Sequence, residues 1–223
     1  MENRGSEVSR LYRLRFNKDL SSRNAIWKVL CRDFFQKYIK PEDTVCDLGC
    51  GFCEFINNIK AKEKVAIDIN PETKKYAAKN VRTIITSSTN LPKRLTSKAD
   101  VVFVSNFFEH LPSREDLVKT LLEIKRILKK EGQVIILMPN IRYVGVAYWD
   151  FLDHQLPLSE KSMIEALELN GFKILEKRVK FLPYSTKSKL PKWPILVRSY
   201  LKIKPLHSIF GKQSLIVAVK NKQ

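Results

Sequence analysis

Val45–Gly51 reads VCDLGCG, and the fold follows from how this stretch is read. Val45, Cys46 and Leu48 belong to a short apolar strand pattern over Thr44–Leu48 that carries one acid, Asp47. The strand runs straight into Gly49-Cys50-Gly51, and a helical pattern begins near Cys53. Strand, G-x-G and helix in that order form the loop that wraps a nucleoside cofactor. Glycines permit the tight turn and a close backbone approach, and a helix N-terminus offers free N–H groups. Asp68 closes the next strand pattern, Lys64–Ile69, nineteen residues after Gly49. A carboxylate at that place accepts hydrogen bonds from both ribose hydroxyls. A helix cap is the plainer role for an isolated strand-end Asp, but the spacing from the Gly turn favours the ribose.

Working outward, strands and helices alternate. The spacing predicts a helix over 22–39, stopped by Pro41. Pro71 and Glu72 suit a helix start after the second strand. Further strands are expected over Val81–Thr86, Asp100–Ser105 and Gln133–Met138. Ser113–Lys130 is amphipathic, with Leu117, Leu121, Ile124 and Leu128 on one face, Ser113 as N-cap and Gly132 as its end. Beyond Asn140, Ile141–Leu158 reads as a long aromatic-rich loop, followed by a helix over Ser159–Asn170 closed by Gly171. Strands over Phe172–Leu182 and Gln213–Val219 flank a basic segment, Lys187–Phe210, with a short helix around Pro194–Ile203. Such alternation predicts βαβ units and a doubly wound parallel sheet. At 223 residues the chain suits one domain: an N-terminal arm and helix over 1–40, a cofactor-binding core over 41–140, and a substrate loop, basic insertion and closing strands over 141–223.

Charge is uneven. Residues 1–40 carry ten Lys/Arg and four acids, residues 41–171 carry eighteen of each, and residues 172–223 carry thirteen against one. The net +18 therefore sits in the two flanks, where it favours an anionic partner: a nucleic acid, an anionic lipid surface, or a phosphorylated substrate. Solubility alone is the plainer use of such charge. No apolar run is long enough for a membrane span, and the charged N-terminus has no signal-type apolar core. The cytoplasm is the expected location, with peripheral membrane contact through the basic C-terminal segment as an alternative. The oligomeric state is not legible.

Three of the four cysteines, Cys46, Cys50 and Cys53, fall within eight residues, and Cys50/Cys53 have CxxC spacing. No second pair or histidine cluster follows, so they read as small packing residues and no metal is expected.

The run D-x-G-x-G at Asp47–Gly51, the acid Asp68, the segment SNFFEHL at 105–111 and the strand after EGQ at 131–133 together resemble class I S-adenosylmethionine (SAM)-dependent methyltransferases. The resemblance spans about residues 40–223. GFCEFIN, MPNIRY, YWDFLDH, FLPYST and GKQSLIVAVK look like the subgroup found among surface-polysaccharide genes. It implies a Rossmann-like α/β fold: a seven-stranded, mostly parallel sheet with an antiparallel last strand and helices on both faces. It also implies SAM as cofactor and S-adenosylhomocysteine as product. Asp47, Gly49 and Gly51 would line the methionine and ribose, Asp68 the ribose hydroxyls, and Ile69 the adenine. Asn106 would lie near the sulfonium. There are two departures. Cys53 stands where many members have a third Gly, and Ser87 or Ser88 where many have an Asp reading the adenine amino group. A nicotinamide cofactor is disfavoured, because position 54 is Glu where G-x-G-x-x-G needs a small residue.

Methyl transfer to a hydroxyl needs alignment and a proton acceptor. His154, with Asp153 or Asp150 orienting it, is the expected base; packing of the loop is its plainer role. His110 reads as structural or cofactor-adjacent. Asn140, Arg142, Tyr143 and Trp149 are expected at the acceptor, where aromatics stack on a sugar face and Arg142 pairs an anion. A divalent ion on Asp150, Asp153, His154 and Asn140 is disfavoured, since that spacing matches no strong ligand motif. The leading expectation is O-methylation of a sugar or lipid-linked glycan. The alternatives are an RNA or protein methyltransferase and a non-catalytic SAM-binding protein. SNFF stands where amine-methylating enzymes of nucleic acids often carry an NPPY-type tetrapeptide.

Overall fold

The computed structural model describes residues 5, 10, 11, 20–184 and 193–221. Residues 187–192 of the expected basic insertion lie outside them. Seven strands, β1 (Thr44–Leu48), β2 (Glu63–Asp68), β3 (Arg82–Ile85), β4 (Ala99–Ser105), β5 (Leu128–Pro139), β6 (Phe172–Leu182) and β7 (Gln213–Lys220), form a sheet in the order β3-β2-β1-β4-β5-β7-β6. Contacts group into two compact units, residues 1–88 with 190–202, and residues 89–189 with 203–223.

The first unit contains α1 (Leu20–Asp33), β1 (Thr44–Leu48), α2 (Glu54–Asn58), β2 (Glu63–Asp68), α3 (Thr73–Tyr76), β3 (Arg82–Ile85) and α7 (Pro194–Lys202). β1 pairs with β2 in parallel, Thr44 opposite Glu63 through Leu48 opposite Ile67, and β2 pairs with β3 from Val65 opposite Arg82 to Asp68 opposite Ile85. Val45, Cys46, Leu48, Val65, Ala66 and Ile67 are all buried. Near-continuous burial along the strand marks one covered on both faces. Trp27, Phe35 and Phe55 meet as an aromatic cluster beside β1, with ring centroids 5.8–6.3 Å apart. The expected helix over 22–39 breaks at Phe34 into α1 and a 3-10 turn, Phe35–Tyr38. α7 docks on α1, where Arg198 Nε lies 3.0 Å from Asp33 Oδ2.

The second unit contains β4 (Ala99–Ser105), α4 (Arg114–Ile127), β5 (Leu128–Pro139), α5 (Ile141–Val144), α6 (Glu160–Leu169), β6 (Phe172–Leu182), α8 (Lys204–Phe210) and β7 (Gln213–Lys220). β4 and β5 are parallel, while β7 runs antiparallel to both β5 and β6. That is the antiparallel last strand implied by the resemblance. Ser113 caps α4, its Oγ accepting from Asp116 N at 3.2 Å, and Leu117, Leu121 and Ile124 are buried on the expected face. Ser159 and Ser162 form a capping box at α6.

Three boundaries differ from the sequence expectation. α4 stops at Ile127, short of Gly132, because Leu128 pairs with Ala99 and Lys129 Nζ reaches Asp100 Oδ2 at 2.7 Å. Those residues extend β5, so Gly132 lies inside a strand. The expected loop over 141–158 opens with α5 and a 3-10 helix, Gly145–Asp150. The basic segment carries a second helix, α8, after the expected one.

Candidate active site

In the first unit, β1 delivers Gly49 and Gly51 into left-handed backbone, with φ of 70° and 50°. An L side chain costs about 1–2 kcal/mol there, which is why the turn needs glycine. Gly49 N donates to Ile67 O at 2.8 Å, tying the turn to β2. Gly51 N donates to Asp68 Oδ2 and Asn70 N to Asp68 Oδ1, both at 2.8 Å. Asp68 is thus held rigidly at the end of β2, with one backbone donor on each oxygen. A carboxylate offers about four acceptor sites on its two oxygens. Two acceptors side by side suit a ribose diol. Ile69, half-buried, follows directly. Ser87 is half-buried and Ser88 buried just past β3. Asp47 is 3% exposed, and burial, then the Asp68 charge, pushes its carboxyl well above the usual range. Cys53 itself adopts φ 60°, so the position where the resemblance implies a glycine has a glycine-like backbone here. The cysteines are all free and buried, and burial pushes Cys46 up to about 12. The donor set and turn geometry fit SAM.

In the second unit, Asn106 follows β4 with φ 47°, its N–H donating to Leu137 O at 2.8 Å. Its Nδ2 donates to Ser105 Oγ at 3.0 Å.

The expected acceptor residues divide in two. Asn140 is fully buried, where Oδ1 accepts from Arg142 N, capping α5, and Nδ2 donates to Glu160 Oε2 and Ser214 Oγ. Its amide is spent on joining β5, α6 and β7. Arg142 Nη1 pairs with Glu160 Oε1 at 2.6 Å. Tyr143 carries Lys180 Nζ 4.7 Å above its ring. Trp149 is 53% exposed, whereas Tyr148 beside it is fully buried with its hydroxyl donating to Leu156 O. His207, in the basic segment, is buried against Phe181.

His154 is buried between Tyr148 and Phe151, at ring centroid distances of 4.7 and 5.0 Å. Its ring also meets His110 edge-on at 4.9 Å. Asp153 was expected to orient His154. The structure places its carboxylate on His110, with Oδ2 3.2 Å from Nδ1 and the Asp153 carbonyl at 3.1 Å. Gln155 N and Leu156 N both donate to Glu109 O, pinning this segment to the turn after β4. Glu109 is 2% exposed, and burial pushes its carboxyl up to about 7. Burial works to lower His110, but the Asp153 hydrogen bond and the Glu109 charge leave it above its ordinary value. Sequence spacing alone missed Glu109 here, because its partners lie some 45 residues away.

Residues 46–136 match the family profile described as "Methyltransferase domain". An uncharacterized protein of Methanocaldococcus jannaschii is 33% identical over 147 residues, covering 65% of this chain and 61% of that protein. A second one is 28% identical over 121 residues, 53% of this chain and 46% of its own length. The chain thus spans about half to three-fifths of these curated relatives. Among solved structures, a chain of the Haloferax volcanii complex between the Trm112 methyltransferase activator and a methyltransferase superposes with a TM-score of 0.68 at 18% identity. It covers 93% of this chain and 95% of that one. A SAM-dependent methyltransferase of Archaeoglobus fulgidus gives 0.65 at 22% identity over 92% and 99%. Residues 46–136 are thus similar to the methyltransferase-domain family, and the strand order matches the fold of the solved SAM-dependent methyltransferases.

Proposed function

We propose that the protein transfers a methyl group from SAM to a hydroxyl of a sugar or lipid-linked glycan. The observation that carries this reading is the segment 149–154. It exposes Trp149 as a flat apolar platform, keeps Asp150 exposed beside it, and buries His154 at its end. An indole face stacks on sugar C–H groups, and carboxylates accept sugar hydroxyls.

SAM supplies an electrophilic methyl on a positively charged sulfur. The chain's part is to hold both reactants in line, which is worth about 7–11 kcal/mol of barrier. Asp68 and the Gly turn fix the ribose, and Ile69, Ser87 and Ser88 the adenine. Tyr143 and Trp149 orient the acceptor ring, and Arg142 pairs an acceptor phosphate. The Glu109–His110–His154 cluster would take the proton that the acceptor hydroxyl loses. The base role expected of His154 and Asp153 is in this proposal shared with Glu109 and His110.

The lipid-linked form of the acceptor is supported by the two short helices of the basic segment. Ile195 and Leu196 in α7, with Trp193 just before it, and Ile209 and Phe210 in α8 are exposed large apolar residues in a +12 stretch. Apolar side chains among cations suit an anionic membrane surface. Among the described residues no helix is long and apolar enough to cross a membrane.

Cells expressing the protein and fed methyl-labelled methionine test the acceptor. Extra label in the glycolipid or polysaccharide fraction supports the reading; label in RNA or in protein side chains overturns it. The RNA reading draws on the same +12 stretch.

A further inference from the structure

We infer that Glu109, His110 and His154 form a binding site for one divalent first-row transition-metal ion. One ligand atom from each of the three lies within 4.8 Å of the others. Glu109 Oε2 is buried and accepts no hydrogen bond from any described residue. A buried carboxylate oxygen without a donor is costly, and a cation is the partner that removes the cost.

The histidines are arranged as ligands. Two oxygens of Asp153 face His110 Nδ1, so Nδ1 carries the ring proton and Nε2 presents its lone pair. That Nε2 lies 3.9 Å from Glu109 Oε1. Two ligands on one ion with bonds of about 2.1 Å are about 3.0–4.2 Å apart, so this pair is already at a shared-ion distance. A carboxylate behind a ligand imidazole fixes its tautomer and raises its basicity, which is the role of Asp153 here. His154 is clamped by Tyr148 and Phe151, and the hydrogen bonds from Gln155 N and Leu156 N to Glu109 O hold the two ligand-bearing segments together.

Two imidazoles and one carboxylate favour zinc, cobalt, manganese or iron over magnesium and calcium, which prefer all-oxygen shells. His110 is partly exposed, leaving a side for a further ligand. With an ion bound, the lone pairs of these three ligands would no longer accept the acceptor's proton; the ion would instead polarise the acceptor oxygen and ease loss of its proton to water. The ion site stands independently of the acceptor: a chain that binds metal but labels no glycan keeps this inference and loses the preceding one.

Co²⁺ titration of the chelator-stripped full chain tests it, followed by absorption and by equilibrium dialysis with metal analysis. One Co²⁺ per chain is expected, without the intense thiolate charge-transfer band that cysteine ligation would give. Glu109→Gln and His154→Gln should each weaken binding at least about tenfold, and Asp153→Asn about 10–100-fold. S-adenosylhomocysteine binding, retained in each variant, shows that the variant is folded. If one variant fails that check, the remaining two decide. No bound Co²⁺, a thiolate band, or undiminished affinity in the folded variants overturns the site.

Discussion

At the scale of single residues, Asp68 clasps Gly51 N and Asn70 N. In the proposed function the same carboxylate also accepts the ribose hydroxyls. Hydrogen bonds to a charged group contribute about 1.5–3 kcal/mol each. Asp68→Ala should therefore weaken S-adenosylhomocysteine binding about 100-fold or more, measured by calorimetry. Unchanged affinity would remove Asp68 from the ribose site, and no binding by the parent chain would sink the enzyme reading itself. This residue was legible in the sequence, because strand end and Gly turn are local features at a fixed spacing. The conformation of Cys53 was not, since a side chain forced to φ 60° is visible only in the folded backbone. The contact of Asp153 with His110 was hidden for a related reason. Adjacency to His154 suggested a pair, while the turn over 151–154 directs its carboxylate to His110.

At the scale of elements, α4 follows its sequence signals closely at its start. Ser113 is its N-cap, and Ser113→Ala should lower stability by about 1 kcal/mol in urea unfolding. The docking of α7 on α1 has a pH signature. Arg32 first, with Arg198 adding to it, holds the Asp33 carboxyl down at about 2. A depressed carboxylate contributes stability above the unfolded value, about 3.9, that is lost as pH falls through about 2. Thermal unfolding between those limits should show this acid-side loss, and Asp33→Asn should abolish that share of it. An unchanged acid profile in the variant would remove the pair from the stability of this contact. The sequence could not reveal the pair, because Arg198 and Asp33 are separated by 165 positions.

At the scale of the whole molecule, the net charge of +18 concentrates in the flanks of a neutral centre. If this charge serves an anionic membrane, the full chain should co-sediment with vesicles containing phosphatidylglycerol and not with neutral phosphatidylcholine vesicles. Raising the salt from about 0.1 to 1 M shortens the screening length from about 10 to 3 Å, so binding should fall steeply. Equal binding to both vesicle types would remove the membrane from the proposal.

The sequence by itself determined the strand-and-helix alternation, the Gly turn, Asp68 and hence the donor. All of these are written in short-range periodicity and spacing, which local backbone physics reads directly. Only the tertiary structure decided where α4 gives way to β5, because pairing of Leu128 with Ala99 outcompetes another helical turn. It alone brought Glu109 and His110 to His154. That meeting depends on backbone hydrogen bonds between segments some 45 residues apart, for which the chain carries no local mark.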